Sequence, residues 1–226
     1  MNMSIPRDWK LVTLGEVVSP RRGKVIPSST DQRPYLSLDN IESGRAKILG
    51  WESASQYRSQ AATLFPGDVA YVRLRPYLNK VAFVDRESLG SAELIVLPQN
   101  ETLFPGFLVR LLSSGDFVAF AIENSTGDRP RLTWPQMKKF RFSMPPLAEQ
   151  IRISSAIDQS LSTLDTIHDI LDFVDSKVAT LRNSIISRAC SGQLIAEDAS
   201  GELPSGLHPY TEGSNDPNLR DRRTTA

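Results

Sequence analysis

No proline or glycine occurs between Pro146 and Gly192, and within that interval Ile157, Leu161, Leu164, Ile167, Leu171, Val174, Val178, Leu181 and Ile185 recur every three or four residues. That spacing lays one apolar stripe along a helix and predicts a helix that packs against another helix. "PPLAEQ" (Pro145–Gln150) supplies a Pro-led start with Glu149 in the first turn, where a carboxylate meets the positive end of the helix dipole. About 40 residues at ~1.5 Å each make a rod of roughly 60 Å. A compact domain of ~140 residues has a radius of gyration of only ~14 Å and cannot cover such a stripe. The rod needs a partner helix. A hairpin folded back near His168–Asp169 is the competing arrangement, although no Gly or Pro marks a turn there.

Ahead of Pro145 the chain reads as short segments. "LVTLGEVV" (Leu11–Val18), "RPYLSLDNI" (Arg33–Ile41), "GDVAYVRL" (Gly67–Leu74), "KVAFVD" (Lys80–Asp85) and "AELIVLP" (Ala92–Pro98) are β-rich runs bounded by Gly, Pro, Asn or Asp. In "FPGFLVRLLSSGDFVAFAIEN" (Phe104–Asn124), Phe107, Leu108, Leu111 and Leu112, then Val118, Ala121 and Ile122, fall at helical spacing. This predicts one or two helices, broken near Ser114–Gly115. The expected class is α+β: a globular domain of short strands and loops over 1–144, one long helix over 145–191 and a flexible tail over 192–226. "RDRR" (Arg220–Arg223) in that tail reads as a solvated end.

Composition narrows the class of partner. Hydrophobic residues make up 40% and charged residues 23% of the 226, which suits an ordinary buried core. No apolar run approaches the ~20 residues of a membrane span, and "MNMSIPRDWK" lacks the apolar centre of a secretory signal. The single cysteine, Cys190, excludes an intrachain disulfide and suits a reducing cytoplasm; it is expected to be a small buried hydrophobe. The formal net charge is zero, yet residues 1–146 carry 19 Lys+Arg against 14 Asp+Glu, and residues 147–226 carry 7 against 12. A basic front half is compatible with one specific nucleic-acid face, whereas a near-neutral whole argues against a general polyanion binder.

Catalytic constellations are not apparent. His168 and His208 stand apart from any second ligand type at metal spacing, and Cys190 is alone, so no zinc site is expected. Neither a G-x-x-x-x-G-K-[ST] phosphate loop nor a G-x-G-x-x-G turn is present. What remains is basic residues set among turn-formers and aromatics: "SPRRGK" (Ser19–Lys24), "VRLRPYLNK" (Val72–Lys80) and "GDRPRLTWPQMKK" (Gly127–Lys139). Short loops carrying Arg, Asn and Tyr on a β scaffold reach base edges and phosphates without a recognition helix. Solvated turns are the plainer account of each loop alone.

These residues resemble the specificity subunit of type I restriction–modification systems. "IPRDWKLVTLGEV" (Ile5–Val17) is similar to that family's opening, "YLSLDNIESG" (Tyr35–Gly44) to its strand ending in Asn-Ile-x-x-Gly, and "LFPGDVAYVRLRP" (Leu64–Pro76) to its Gly-Asp-Val element. "STGDRPRLTWPQMKKFRFSMPPLAEQIRI" (Ser125–Ile153) resembles the close of a target recognition domain running into its helix, and "LRNSIISRACSGQLIAED" (Leu181–Asp198) the end of that helix. The family's usual subunit has two recognition domains and two conserved helices; this chain has one of each, and half-length members are expected to pair.

The resemblance implies a protein without bond chemistry, in which long antiparallel helices hold two readers at a set distance along double-stranded DNA. A homodimer would read one half-site twice, inverted, and so a symmetric bipartite target. Adenine-specific methyltransferase subunits and a motor–nuclease subunit are the implied partners; S-adenosylmethionine and ATP belong to those subunits, and no cofactor is expected here. Electrostatics and loop position nominate Arg21, Arg22, Lys24, Arg73, Arg75, Tyr77, Asn79, Lys80, Arg129, Arg131 and Lys138 as the DNA-facing set. The expected dimer interface is Ile157, Leu161, Leu164, Leu171, Val174, Val178, Leu181 and Ile185. Gly67, Asp68, Pro145 and Pro146 read as architectural. Pairing with a different half-subunit, a coiled-coil scaffold that binds protein, and a nuclease with an unrecognised centre stay open as alternatives.

Overall fold

The computed structural model describes residues 6–191; the expected tail, with His208 and Arg220–Arg223, lies outside the described residues. The first elements are β1 (Lys10–Thr13), α1 (Leu14–Val17), β2 (Lys24–Val25), β3 (Pro34–Leu36), β4 (Glu52–Ser53), β5 (Ala61–Leu64) and β6 (Val69–Val72). They are followed by β7 (Val81–Phe83), β8 (Ser88–Ser91), β9 (Leu94–Leu97), α2 (Pro105–Leu112), α3 (Gly115–Glu123), α4 (Trp134–Met137), β10 (Arg141–Met144) and α5 (Leu147–Cys190). The class is α+β, as expected. Contacts divide the chain into two compact units, Met1–Leu164 and Asp165–Ala226.

In the first unit three sheets share the work. β1 pairs with β10, a five-stranded sheet runs β2-β5-β8-β3-β4, and a three-stranded sheet runs β7-β6-β9. β6 is the central strand of its sheet and all four of its residues are buried, which is why "VAYV" reads as a continuous apolar run rather than an alternating one. Tyr71 of β6 meets Phe117 of α3 edge to face at 5.5 Å, and Phe117 meets Phe140 at 5.0 Å. These aromatics anchor the main core, in which α2 and α3 cover the sheet. The helix break falls at Ser113–Ser114, where the Ser114 side chain accepts from Phe117 N and starts α3.

Two readings need correction. "LVTLGEVV" is not one strand: after β1 the chain turns into α1, because Thr13 and Glu16 form a reciprocal capping box that favours a helical turn. Cys190 is exposed, not buried. It sits in the last turn of α5, a helix in which every residue from Asp158 to Cys190 is exposed among the described residues.

α5 is one continuous helix of 44 residues with no hairpin at His168–Asp169, hence ~66 Å long. Its first turns belong to the first unit, where Gln150 is fully buried. Gln150 Oε1 accepts from Phe104 N at 2.8 Å, and its Nε2 donates to Thr102 O at 3.0 Å and Pro145 O at 2.9 Å. Pro146 O accepts from Glu149 N and Gln150 N, so the Pro145–Pro146 pair starts the helix as read.

From Leu164 onward the pattern sharpens. Leu164, Ile167, Leu171, Val174, Val178, Leu181 and Ile185 alternate strictly in steps of three and four. Leu171 is 56% exposed and Leu181 61%. That alternation is the three-and-four spacing of a heptad stripe, and it lies exposed along the helix.

Candidate nucleic-acid interface

Two arms of backbone bring the nominated arginines together. One continues β6 through Arg73, Leu74 and Arg75 into a 3₁₀ turn at Pro76–Leu78. The other is a tight hairpin in which Thr126 N donates to Arg131 O and Arg131 N to Thr126 O. Gly127 makes that turn possible with a φ of +92°. The arms are zipped together by Arg75 N donating to Pro130 O at 2.8 Å and Leu132 N donating to Arg73 O at 2.9 Å. Leu74 and Arg131 are bridged directly. Arg73, Arg75, Arg129 and Arg131 therefore share one lobe, with the 54%-exposed Tyr77 on the adjoining turn.

The turn is held under strain. Arg75 and Asn79, one on each side of Pro76–Leu78, both adopt left-handed backbone, with φ of 53° and 45°. For non-glycine residues this costs free energy and persists only where surroundings enforce it. Asn79 is enforced by Nδ2 donating to Ser113 O at 3.1 Å and by its carbonyl accepting from Gly44 N at 2.9 Å.

One carboxylate ties the arms. Glu93, on the turn between β8 and β9, accepts from Arg73 Nε at 2.8 Å and from Arg131 Nε at 3.3 Å, both at Oε2. Partial burial pushes the Glu93 carboxyl up, but the hydrogen bonds from Arg73 and then Arg131 outweigh burial and hold it below the ordinary glutamate value. Sequence reading did not single out Glu93. It lies 20 residues from Arg73 and 38 from Arg131 along the chain, and no local signal links them.

Other nominated residues are used differently. Arg21 places its guanidinium on Asp68, Nη2 to Oδ1 at 2.7 Å and Nε to Oδ2 at 3.2 Å, and lies 4.6 Å over the Phe65 ring. Gly67 and Asp68 form the turn into β6, with Asp68 Oδ2 accepting from Phe65 N at 2.9 Å. Lys80 Nζ donates to Leu38 O at 2.7 Å. Arg22 and Lys24 are exposed at β2, where Lys24 is a strand residue paired with Ala62 rather than a loop residue. Lys138 is exposed at the end of α4, its carbonyl accepting from Gly15 N. Among the described residues no group of three or more His, Cys, Asp or Glu could hold a metal, and no single helix is long and apolar enough to cross a membrane.

Comparison with known proteins assigns the domain. Residues 6–175 match the family model of the type I restriction modification DNA specificity domain. The type I restriction enzyme EcoDI specificity subunit of Escherichia coli is 25% identical over 197 residues, covering 86% of this chain and 44% of that protein. The crystal structure of the HsdS subunit from Thermoanaerobacter tengcongensis superposes with a TM-score of 0.69 at 22% identity, over 91% of this chain and 54% of its own. A chain from a structure concerned with complex assembly and conformational transition of the type I R-M system gives 0.68 at 22% identity, over 90% and 53%. This chain thus spans about half the length of the relatives it matches.

Proposed function

Because the chain belongs to the type I restriction–modification DNA specificity family, we propose that it is a non-catalytic reader of double-stranded DNA. Residues 1–144 form the recognition domain and 145–191 the spacer. The observation that carries this reading is the collection of Arg73, Arg75, Arg129 and Arg131 onto two zipped arms, one of which runs into a strained turn. Guanidiniums on a stiff lobe suit base edges and phosphates, because less conformational freedom remains to be lost on binding. Arg22, Lys24 and Lys138 complete the electrostatic footprint from exposed positions. Arg21, Asn79 and Lys80 serve it indirectly, since their polar ends are engaged inside the domain.

The a/d stripe of α5 packs against the same stripe of a second copy, antiparallel, so that two identical readers stand at a set spacing. Exposure of Leu164, Leu171, Val174, Val178, Leu181 and Ile185 supports this, with Ile157 and Leu161 extending the contact toward the domain. Methyltransferase and motor–nuclease subunits then act, in the cytoplasm, at the site the pair selects.

Anisotropy with a mixed-sequence duplex tests the reader. A protein that neutralises several phosphates loses ~10³-fold or more in affinity between 50 and 200 mM salt; affinity indifferent to salt would favour a protein-binding scaffold instead. Sedimentation tests the pair. Leu171→Asp with Leu181→Asp places charge in the seam and is expected to halve the mass; an unchanged mass removes the seam from the interface.

A further inference from the structure

The proposed DNA-reading role does not by itself say which cations read bases and which hold phosphates. The basic side chains divide by how firmly they are held. Arg22, Lys24, Arg75, Arg129 and Lys138 are exposed, and their side chains make no hydrogen bond or ion pair with another described residue. Such flexible cations suit phosphates, which accept from many directions.

Arg73 and Arg131 are different. They share Oε2 of Glu93 and so stand side by side. The Glu93 side chain is 24% exposed, that of Arg73 33% and that of Arg131 44%. The Glu93 side chain is thus less exposed than either arginine it joins, and both arginine side chains keep solvent-accessible surface. Arg73 meets it through Nε alone, leaving both Nη groups uncommitted; Arg131 adds only a marginal contact of 3.5 Å from Nη2. A guanidinium fixed at its Nε edge presents its planar Nη edge as a fork, the geometry that matches O6 and N7 of guanine. The backbone repeats the restraint: Arg73 N donates to Glu93 O at 3.0 Å.

We infer that Glu93 is the positioning residue of a base-reading pair, holding Arg73 and Arg131 with their Nη edges toward guanine in the major groove while the unrestrained cations grip phosphates. The inference rests on the DNA-reading role proposed above. It makes Glu93, an acidic residue, a determinant of specificity on a basic surface. Its loss should erase discrimination without weakening general attraction to DNA.

The test takes a duplex selected by the wild-type protein from a randomised pool and a scrambled duplex of the same composition, both measured by anisotropy. If neither duplex binds with salt dependence, the DNA-reading role itself fails. If the wild type discriminates, Glu93→Gln is expected to lower the selected-to-scrambled affinity ratio about tenfold. Affinity for the scrambled duplex should stay within about twofold, and in an Arg73→Ala, Arg131→Ala background Glu93→Gln should leave the ratio unchanged. Should Glu93→Gln also lower the melting temperature, Arg73→Lys carries the same expectation, since it keeps the charge and loses the planar fork. An unchanged ratio in Glu93→Gln and Arg73→Lys on the otherwise wild-type chain, or equal losses on both duplexes, would overturn the inference and leave Glu93 a staple of the fold.

Discussion

Arg21 and Asp68 form a two-point ion pair, Nη2 to Oδ1 at 2.7 Å and Nε to Oδ2 at 3.2 Å, with Asp68 only 1% exposed. Arg21 belongs to a basic cluster in the sequence, yet its guanidinium is committed inside the domain. Arg21→Ala strands a buried carboxylate. Breaking a fully buried pair costs about 3–5 kcal/mol, and because Arg21 is partly solvated a loss of about 2–3 kcal/mol is expected here. Denaturant unfolding measures it. DNA affinity of the folded variant should change less than for Arg129→Ala with Arg131→Ala.

Gln150 carries the second prediction. Its amide joins the start of α5 to Phe104 N, Thr102 O and Pro145 O with no water needed. Gln150→Ala leaves those groups unsatisfied in a buried site and should cost about 2–3 kcal/mol. The urea midpoint should fall with the m-value unchanged.

Glu93 sets a pH dependence. Its carboxyl titrates below the ordinary glutamate value of 4.5 when folded, so the unfolded chain binds that proton more readily. The stability it adds is therefore complete above pH ~4.5 and is lost as pH falls through the depressed folded value. Stability of Glu93→Gln should decline less steeply than wild type on the acid side, as read from urea midpoints between pH 3 and 6.

How far the sequence reveals this depends on the range of the interactions. α5 was legible because an unbroken run with three-and-four spacing is a local signal, and the α2–α3 break was legible because Ser114 and Gly115 announce it. β6, β7 and β9 carried branched and aromatic residues. β5 ("AATL") and β8 ("SLGS") have one β-branched residue between them, Thr63, too little to mark a strand; they form because they pair with each other, Ala62 opposite Gly90. Gly90 also permits a close approach, since a Cβ there would meet Leu94 Cδ1 at 2.6 Å. The basic loops could be found by composition. Which of their cations were engaged by Asp68, Leu38 O or Glu93 could not, because each partner lies 20 or more residues away.

Cys190 offers a simple check on the helix end. It is exposed, and in the heptad set by Leu171, Val178 and Ile185 it falls opposite the seam. One thiol per chain should react with Ellman's reagent within minutes at pH 8 without denaturant, in monomer and dimer alike. A thiol that reacts only after unfolding would place another surface against the last turn of α5.

The most direct measurement is selection of duplexes from a randomised pool by the purified chain. Paired α5 helices with an identical reader at each end should enrich one short half-site occurring twice, inverted, at a constant separation filled by unselected bases. Enrichment of a lone half-site, or of two copies at variable separation, would contradict a helix pair that fixes the distance between two readers.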